Sequence, residues 1–491
     1  MTRYLVTPAL PYANGPIHIG HMVEHIQVNV YVRALRMAGH EVLSICGADS
    51  HGTPIELNAM KSGKKPAAFA AEWQQSHAES LEKFSITYDN GYGSTHTPQN
   101  EKHAQTIFAA LKEAGHINTK KVAQFFDPQE KRFLPDRMVK GQCPKCEALD
   151  QYGDCCEVCG ATYRPVELKD PKSAISGVTP IMKESLHYFF DLGAYAERLK
   201  TYLSKNEVIN PDTRHYLDRW FEDGLRDWDI SRDGPYFGFK IPGEEDKYFY
   251  VWLDAPIGYV SLAEMAAEKM GQSVWDYWKS DDTRIVHFIG KDIVYFHTLF
   301  WPAMLMAADY TLPSTIAVHG MLTVDGEKMS KSRGTFIMAD TFAEYLDTQT
   351  LRYYIACKLA DNAKDIDLNL EDFVFRVNAD LVNKVVNLTS RTVPMLHRNF
   401  DGVLGPLDPT ANEMIKRVTV IGEKIQDLYI SRNYAQAVKE IVAMADEANK
   451  YLQDAAPWKT VKENKELGHQ QLSTALHVGK ACLALLKPIL P

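Results

Sequence analysis

Two histidines near the start of the chain have the spacing of a phosphate-binding site. His18 and His21 are three residues apart with Gly20 between them, and apolar residues recur after them at helical spacing. Both imidazoles should therefore share one face of the first turn of a helix. Backbone N–H groups at a helix N-terminus attract anions, two imidazoles add donors, and Gly20 leaves room for a close ligand. The structural alternative is that one histidine caps the helix and the other packs.

A group of cysteines has the spacing of a metal site. Cys143 and Cys146 form one C-x-x-C pair, and Cys156 and Cys159 form a second pair after nine intervening residues. Four thiolates satisfy a tetrahedral zinc ion and leave no open position, so we expect a structural zinc. Cys155 could compete with Cys156, but only Cys156 is spaced correctly from Cys159. A redox-active pair is the alternative, and two such pairs in a loop-rich segment argue against it.

Two lysines late in the chain could bind a polyphosphate. Lys328 and Lys331 lie in the run Lys328-Met-Ser-Lys-Ser332, which follows an Asp325-Gly326 turn. On an exposed loop, two lysines and two serines can close over phosphate oxygens. The alternative is a solvated loop, which is the usual role of paired lysines.

Short apolar runs predict the elements that position these residues. A buried strand at residues 4–7 precedes the histidine pair, and the helix after it should end at Gly39. Further buried strands are predicted at 42–46, 285–289 and 315–318. Strand–turn–helix units of this kind predict a parallel sheet that binds ligand at the carboxyl ends of its strands.

Two aspartates follow predicted strands directly. Asp49, after the second strand, could hold a cationic group such as an ammonium, or it could cap a helix that begins near Thr53. Spacing alone does not decide between these two roles. Asp292, after the strand at 285–289, could accept hydrogen bonds from ribose hydroxyls.

Two other stretches have a distinct pattern. Residues 248–259 are dense in aromatic side chains and read as a strand and turn. From about residue 373 onwards, apolar residues recur at helical spacing over several segments and predict a helix bundle. Within that bundle, Asn387 and Arg391 are four residues apart and share a face, and Trp458 opens a later segment.

Composition restricts the class of protein. The net charge of −9 argues against a protein that coats nucleic acid non-specifically, although local basic patches could still dock a shaped RNA. No apolar run reaches the length of a membrane span. Five of the eight cysteines crowd between Cys143 and Cys159, which suggests a metal site in a reducing compartment. We therefore expect a cytoplasmic location.

The two charged motifs together resemble a known family. His18-Ile-Gly-His21 and Lys328-Met-Ser-Lys-Ser332, about three hundred residues apart and in this order, resemble the two signatures of class I aminoacyl-tRNA synthetases. Pro11-Tyr-Ala-Asn-Gly15 and the stretch 248–259 resemble the methionyl members of that family, of the bacterial type with a single zinc. The resemblance implies activation of methionine by ATP, with Mg²⁺, to methionyl-adenylate and pyrophosphate. It also implies transfer of the methionyl group to the 3′ end of methionine tRNA.

The resemblance also implies roles for individual residues. Catalysis is expected to involve His18, His21, Lys328 and Lys331. The expected ATP-binding residues are Tyr12, His18, Gly20, His21, Glu24, Asp292 and Lys331. The expected methionine-binding residues are Ala9, Leu10, Tyr12, Asp49 for the ammonium, Trp252, Pro256, Tyr259, Ile293 and His297. The anticodon is expected to be read by Asn387, Arg391 and Trp458, and the zinc to be bound by Cys143, Cys146, Cys156 and Cys159.

The expected fold is α/β. It is a class I synthetase Rossmann-type parallel sheet, split by a zinc-binding connective insertion and followed by an α-helical bundle that binds the anticodon. The expected boundaries are 1–115 and 230–325 for the two halves of the catalytic domain, 116–229 for the insertion, 326–372 for the lysine loop and stem-contact segment, and 373–491 for the bundle. The chain stops inside the bundle, so we expect a C-terminally truncated monomer, whose full-length form could dimerise through a missing domain.

Two other functions fit part of this pattern. A cysteinyl or leucyl class I enzyme would keep both signatures, but the short insertion and the aromatic stretch argue against it. A non-catalytic RNA-binding zinc protein would not need both signatures.

Overall fold

A four-stranded parallel sheet forms the centre of the computed structural model, which describes residues 2–329 and 335–491. Its strands lie in the order Thr315–His319, Thr283–Gly290, Arg3–Pro8 and Glu41–Ser44. Val6 in the central strand lies between Val286 and Ser44. Strands buried on both faces are apolar along their whole length, which is why these runs could be recognised. The prediction of a parallel sheet is confirmed.

Helices cover the sheet. They are Ile19–Met37, Thr53–Lys61, Pro66–Lys83, Pro98–Glu113, Val251–Lys269, Trp275–Trp278 and Trp301–Ala307. The first helix ends where predicted, because Gly39 adopts a φ of 82° that glycine tolerates at a helix C-terminus. A short parallel pair, Gly47–Ala48 with Gly93–Ser94, lies beyond the main sheet.

The prediction of a strand and turn at 248–259 is wrong for most of its length. Only Lys247–Phe249 is a strand, and the helix Val251–Lys269 begins two residues later. Nearly every residue in the first three turns of this helix is buried, so the segment is apolar on all sides and has no helical periodicity to detect. Pro256 lies inside the helix, where it removes one backbone hydrogen bond.

A second sheet begins after the helix Pro98–Glu113. Ile117–Asp127 pairs antiparallel with Ile181–Phe190 over ten residues and forms a long ribbon. Arg132–Phe133 and Trp228–Asp229 complete this sheet. A smaller sheet places Val139–Gln142 between Gln151–Tyr152 and Lys169–Ser173. The helices Ala196–Leu203 and Pro211–Glu222 and the hairpin Ser231–Asp233 with Lys247–Phe249 lead the chain back to the parallel sheet.

The last third of the chain is mainly helical, as predicted. A small sheet lies near its start: Leu322–Val324 pairs antiparallel with Glu327–Lys328 and parallel with Ile366–Leu368, a strand between the second and third helices of this part. The helices are Ala339–Tyr345, Thr348–Lys358, Leu370–Arg376, a π-helical segment Val377–Val386, Asn387–Phe400, Asn412–Ile430, Tyr434–Ala455, Pro457–Glu463 and Lys465–Leu486. Within the described ranges, no helix is both long and apolar enough to cross a membrane.

Buried arginine contacts join the helical part to the parallel sheet. Arg352 is fully buried and donates to the carbonyl oxygens of Ile489 at 2.7 Å and Phe84 at 3.0 Å. It also donates to the Asn29 side chain of the first helix at 2.7 Å. The end of the chain is therefore fixed against the helix that begins at the histidine pair.

Candidate active site

A cavity of about 880 Å³ opens at the carboxyl ends of the parallel strands. Ala9 and Leu10 reach it from the end of the central strand, and Asp49 from the end of the short strand Gly47–Ala48. All nine residues expected to bind methionine line it: Ala9, Leu10, Tyr12, Asp49, Trp252, Pro256, Tyr259, Ile293 and His297. The structure thus brings together residues that are up to 288 positions apart in the chain.

Asp49 presents an unsatisfied acceptor at this cavity. Its Oδ1 is buried and has no hydrogen-bond partner among the described residues. Burial, together with the nearby Asp254 carboxyl, raises the pKa of Asp49 well above its usual value. The helix Thr53–Lys61 is capped by Gly52 with no side-chain hydrogen bond, so the alternative role of Asp49 as its cap is wrong. A buried carboxylate oxygen without a donor suits a cationic ligand.

Tyr259 and His297 form a buried polar pair in the apolar wall. His297 Nδ1 lies 3.1 Å from the Ile293 carbonyl oxygen, which can only accept, so Nδ1 carries the proton. His297 Nε2 therefore accepts from the Tyr259 hydroxyl at 2.9 Å. Burial lowers the pKa of His297 to about 4 and raises that of Tyr259. Both side chains are neutral near pH 7, and the pocket wall carries no charge here.

Aromatic rings form much of the rest of the wall, and its remaining part includes charged side chains, namely Asp136, Arg137, Asp154, Arg164, Asp229 and Arg232. Trp252 stacks on Phe296 with ring centroids 4.0 Å apart and planes inclined by 12°. Trp252 lines the cavity directly, which the sequence could not establish. Further lining residues that were not predicted include Tyr236, Tyr250, Val251, Ala255, Phe296 and Trp301. Ala255 could have been found, because residues 252, 255, 256 and 259 share one face once the segment is read as a helix.

The histidine pair forms the N-terminus of the first helix. His18 is the cap residue, and its Nδ1 accepts the Gly20 N–H at 3.1 Å, while His21 Nδ1 accepts the His18 N–H at 3.2 Å. The two rings stack with centroids 3.8 Å apart. Burial and the neighbouring His18 lower the pKa of His21 well below its usual value. In a neutral ring whose Nδ1 accepts, Nε2 carries the proton, so each ring has a donor suited to phosphate oxygens.

Gly20 lies where no side chain would fit. A Cβ at this position would lie 2.5 Å from the Met329 Cε atom and 2.8 Å from the His18 Cε1 atom. Met329 belongs to the lysine motif, so the described start of that motif lies against the histidine pair. The first signature and the described part of the second, about three hundred residues apart in sequence, therefore meet at Gly20 and Met329.

Glu24 is bonded on both of its carboxylate oxygens. Oε1 accepts the Ala9 N–H at 2.6 Å, and Oε2 lies 2.9 Å from His319 Nε2. Burial raises the pKa of Glu24. Burial lowers the pKa of His319, but the hydrogen bond and charge of Glu24, together with the Gly320 carbonyl and Asp292, outweigh burial and raise it. His319 follows from no sequence motif, because its partner is 295 residues away. Glu24 thus holds the start of the Ala9–Leu10 segment in place.

Tyr12 and Asp292 are the other described residues expected to bind ATP, and Lys328 is the described lysine of the second signature. The Tyr12 hydroxyl donates to the His51 carbonyl oxygen at 2.8 Å. Asp292 is exposed beside Gly290, and Lys328 is exposed on the strand Glu327–Lys328. Lys331 lies outside the described residues.

The four predicted cysteines form a second cluster. The sulfur atoms of Cys143, Cys146, Cys156 and Cys159 all lie within 4.8 Å of one another. The distances are 3.9 Å from Cys143 to Cys159 and 3.5 Å from Cys146 to Cys156. A tetrahedral zinc with Zn–S bonds of about 2.3 Å places its sulfurs about 3.8 Å apart, so the geometry fits. Cys155 lies outside the cluster.

Matching loops hold the two cysteine pairs. The Cys143 N–H donates to the Ala148 carbonyl at 2.9 Å, and the Cys156 N–H donates to the Ala161 carbonyl at 2.8 Å. Each loop has a positive φ directly after its second cysteine, 63° at Glu147 and 72° at Gly160. Burial opposes ionisation of Cys143, but the N–H groups of Cys146 and Lys145 outweigh it and lower the pKa of this thiol to about 6. The cluster is therefore suited to metal binding.

The residues expected to read the anticodon lie in the helical part. Asn387 begins the helix Asn387–Phe400, one turn before the exposed Arg391. The Arg391 guanidinium lies over the half-buried Trp458 ring, 5.5 Å from its centroid. The structure therefore brings Arg391 and Trp458 into contact although they are 67 residues apart.

Comparison with known proteins covers almost the whole chain. A family profile described as tRNA synthetases class I (M) matches residues 4–393, and one described as the anticodon binding domain of methionyl tRNA ligase matches residues 404–491. A Mycobacterium tuberculosis methionyl-tRNA synthetase in complex with methionyl-adenylate is similar, with a TM-score of 0.81 and 26% identity. A second structure of that enzyme bound by methionyl-adenylate has a TM-score of 0.79 and 25% identity. Each similarity covers 100% of this chain and 92% of the other.

Proposed function

The chain belongs to the methionyl branch of the class I tRNA synthetases, and from this membership we propose which of its residues carry the activity. The activity is that of a methionine–tRNA ligase: methionine and ATP give methionyl-adenylate and pyrophosphate, and the methionyl group then passes to tRNA. A cysteinyl or leucyl enzyme, or a non-catalytic RNA-binding zinc protein, is not what the two matching profiles describe.

We propose that methionine binds in the cavity at the sheet. The observation that carries this assignment is the unpaired Asp49 Oδ1 in a cavity that is also lined by the aromatic side chains Tyr12, Trp252 and Tyr259. A substrate ammonium would supply the donor that Asp49 lacks. The thioether is soft and polarizable, and it would lie against Trp252, Tyr259 and His297. Ala9, Leu10, Tyr12, Pro256 and Ile293 would complete the pocket.

ATP would lie between the two signatures. His18 and His21 would donate from Nε2 to phosphate oxygens, and Gly20 would permit close approach at the helix N-terminus. Asp292 would accept from ribose hydroxyls, and Tyr12 would border both substrates. Glu24 would act through Ala9 and His319, since both of its oxygens are already bonded. Mg²⁺ would accompany ATP and neutralise part of its polyphosphate charge.

The first reaction would need no protein nucleophile. A methionine carboxylate oxygen attacks the α-phosphorus of ATP, a P–O bond forms, and the bond to pyrophosphate breaks with its electron pair leaving on pyrophosphate. The protein has to align the two substrates and stabilise negative charge. His18, His21, Lys328 and Lys331 would supply those donors, and Lys331 would act mainly on the departing pyrophosphate.

We propose that Cys143, Cys146, Cys156 and Cys159 bind one zinc ion as thiolates. The sulfur distances and the matched loops support this assignment. A bound zinc would have a structural role, because four protein ligands fill its coordination shell.

The helical part would select the tRNA. Arg391 and Asn387 can hydrogen-bond the edges of unstacked bases, and Trp458 offers a ring on which a base can stack. Their closeness supports a shared anticodon site.

The division of the chain into 1–115, 116–229, 230–325, 326–372 and 373–491 remains our proposal. The long ribbon from Ile117 to Trp228–Asp229 supports the insertion boundaries. We also propose that the enzyme acts as a monomer in the cytoplasm, where thiolate ligands stay reduced and tRNA is charged.

Aminoacylation tests the function. The purified protein, given ATP, Mg²⁺ and labelled methionine, should transfer label to a tRNA with a CAU anticodon. A tRNA with a changed anticodon is the control. Equal labelling of both tRNAs would refute the role of the helical part, and no labelling of either would refute the assignment as a whole.

A further inference from the structure

A buried aspartate lies behind the methionine cavity. Asp254, in the helix Val251–Lys269, is fully buried, and its Oδ2 accepts from His51 Nδ1 at 2.6 Å. Its second oxygen, Oδ1, has no hydrogen-bond partner among the described residues. Asp49 Oδ1 is in the same condition. Two carboxylates, each with one unsatisfied oxygen, therefore lie near the proposed ammonium site.

These two carboxylates repel each other. Burial raises the pKa of both, and the charge on Asp254 raises that of Asp49 further. His51 acts in the opposite direction on Asp254 and lowers its pKa. Without compensation, two neighbouring buried carboxylates would share one proton. Asp49 could then be neutral when the ammonium arrives.

A hydrogen-bonded chain leads from Asp254 to the surface. His51 is fully buried, and its Nε2 lies 2.9 Å from His96 Nδ1. His96 is exposed, so it can exchange protons with solvent. Phe237 and Phe239 pack edge-on against His51 with ring centroids 5.1 Å and 4.5 Å away, and they shield it from water. When His51 carries both protons, each of its N–H groups has an acceptor.

We propose that His51 and Asp254 are positioning residues: His51 pairs with Asp254 and offsets its charge, so that the Asp49 carboxylate is ionised and ready for the substrate ammonium. His96 would connect this pair to solvent. This inference rests on the proposed role of Asp49 and goes further, since the sequence motifs assign no role to His51 or to Asp254, which lies within the stretch 248–259, and do not predict their pairing.

The other ionisable groups around this site do not compete with His51. The Tyr12 hydroxyl donates to the His51 carbonyl, and burial raises the pKa of Tyr12. Burial also raises the pKa of Tyr236, which faces Asp254, and of Tyr259, which faces Asp49. The Arg232 side chain, which also lines the cavity, lowers the pKa of Tyr236 and so opposes the effect of burial. The Asn100 side-chain amide donates to the backbone carbonyl of Asp254 at 3.2 Å, and this hydrogen bond does not involve the Asp254 carboxylate.

The test compares pH profiles of methionine activation. The kcat/KM for methionine, measured by pyrophosphate exchange without tRNA, should fall at low pH as Asp49 becomes protonated. Asp254→Asn removes the competing charge and should move this acid limb down by about one pH unit. His51→Gln removes the compensating charge and should move it up by a similar amount. In the double variant His51→Gln/Asp254→Asn, the acid limb should lie at a lower pH than in His51→Gln alone.

A second histidine–carboxylate pair provides a matched control, because its glutamate lies on the same helix as Asp254. His103 Nε2 lies 2.9 Å from Glu264 Oε2, a second largely buried histidine–carboxylate pair that does not line the cavity. His103→Gln should lower thermal stability without moving the acid limb. If His51→Gln does not fold, the downward shift of the acid limb in Asp254→Asn, measured against the parent protein, still tests the predicted direction.

Two results would overturn the inference. The first is a loss of activity in His51→Gln and Asp254→Asn with the acid limb unchanged, which is what a merely structural pair would give. The second is a shift of both single variants in the same direction. Asp49→Asn separates these failures from failure of the proposed function, because an unaltered methionine KM in that variant would refute the role of Asp49 itself.

Discussion

The Tyr259 hydroxyl donates to His297 Nε2 at 2.9 Å in the wall of the cavity. The Ile293 carbonyl fixes the proton of His297 on Nδ1, so the direction of this hydrogen bond is determined. The pair therefore presents a neutral, hydrogen-bonded surface to the cavity. Such a surface admits a thioether and gives no counter-charge to a charged side chain.

Removing the Tyr259 hydroxyl should weaken methionine binding. Tyr259→Phe leaves His297 Nε2 without its donor, which costs about 1–3 kcal/mol in a buried site. We expect the KM for methionine in pyrophosphate exchange to rise about tenfold, with the KM for ATP nearly unchanged. Tyr202→Phe is a matched control, since Tyr202 loses a buried hydrogen bond to the Pro313 carbonyl away from the cavity. An equal rise in the methionine KM in both variants would contradict this role.

The metal site predicts opposite results for two adjacent cysteines. Cys156→Ser should lose the zinc, because the Cys156 sulfur lies 3.5 Å from that of Cys146 in the cluster. Cys155→Ser should keep it, because Cys155 lies outside the cluster. Elemental analysis of the two purified variants, against about one zinc per parent chain, is the measurement. Zinc retained in Cys156→Ser and lost in Cys155→Ser would show that the ligands follow the other register.

Trp458 should separate tRNA charging from methionine activation. Stacking of a base on one aromatic ring contributes about 1–3 kcal/mol, so Trp458→Ala should lower aminoacylation of tRNA with the CAU anticodon by about one to two powers of ten. Methionine-dependent pyrophosphate exchange, measured without tRNA, should be nearly unchanged. If both activities fall together with the melting temperature, Trp458 is a packing residue and Arg391 does not mark the anticodon site.

The sequence allowed prediction of elements that follow local rules. The parallel strands are apolar runs, the first helix ends at a glycine, and the zinc loops have fixed spacing. It failed at Val251–Lys269, because a helix buried on all sides has no amphipathic period. Two hydrogen-bonded pairs were also missed: Glu24 with His319, 295 residues apart, and His51 with Asp254, 203 residues apart. No local pattern in the sequence joins the members of either pair.

Hydrogen bonds between His187 and two aspartates should stabilise the second sheet beside the cavity wall in a pH-dependent manner. His187 is buried between Asp229 Oδ2 at 2.8 Å and Asp233 Oδ2 at 3.0 Å. Burial opposes protonation, but hydrogen bonds to Asp229 and Asp233 outweigh it and raise the pKa of His187. A raised folded-state pKa gives stability that is complete below the unfolded value of about 6.5 and is lost as pH rises through the folded value.

His187→Gln should therefore reduce the free energy of unfolding most below about pH 6.5. The difference between parent and variant should shrink as the pH rises. Urea unfolding at a series of pH values measures it, with His103→Gln as a buried histidine control. A difference that stays constant across the series would show that His187 acts by packing alone.

Pyrophosphate exchange with three amino acids tests the central claim most directly. The protein with ATP, Mg²⁺ and labelled pyrophosphate is given methionine, leucine or cysteine in separate reactions. The Asp49 carboxylate and the neutral Tyr259–His297 pair in one cavity predict rapid exchange with methionine and little with leucine or cysteine. Exchange driven by leucine or cysteine as well as by methionine would contradict the assignment of this cavity as a methionine site.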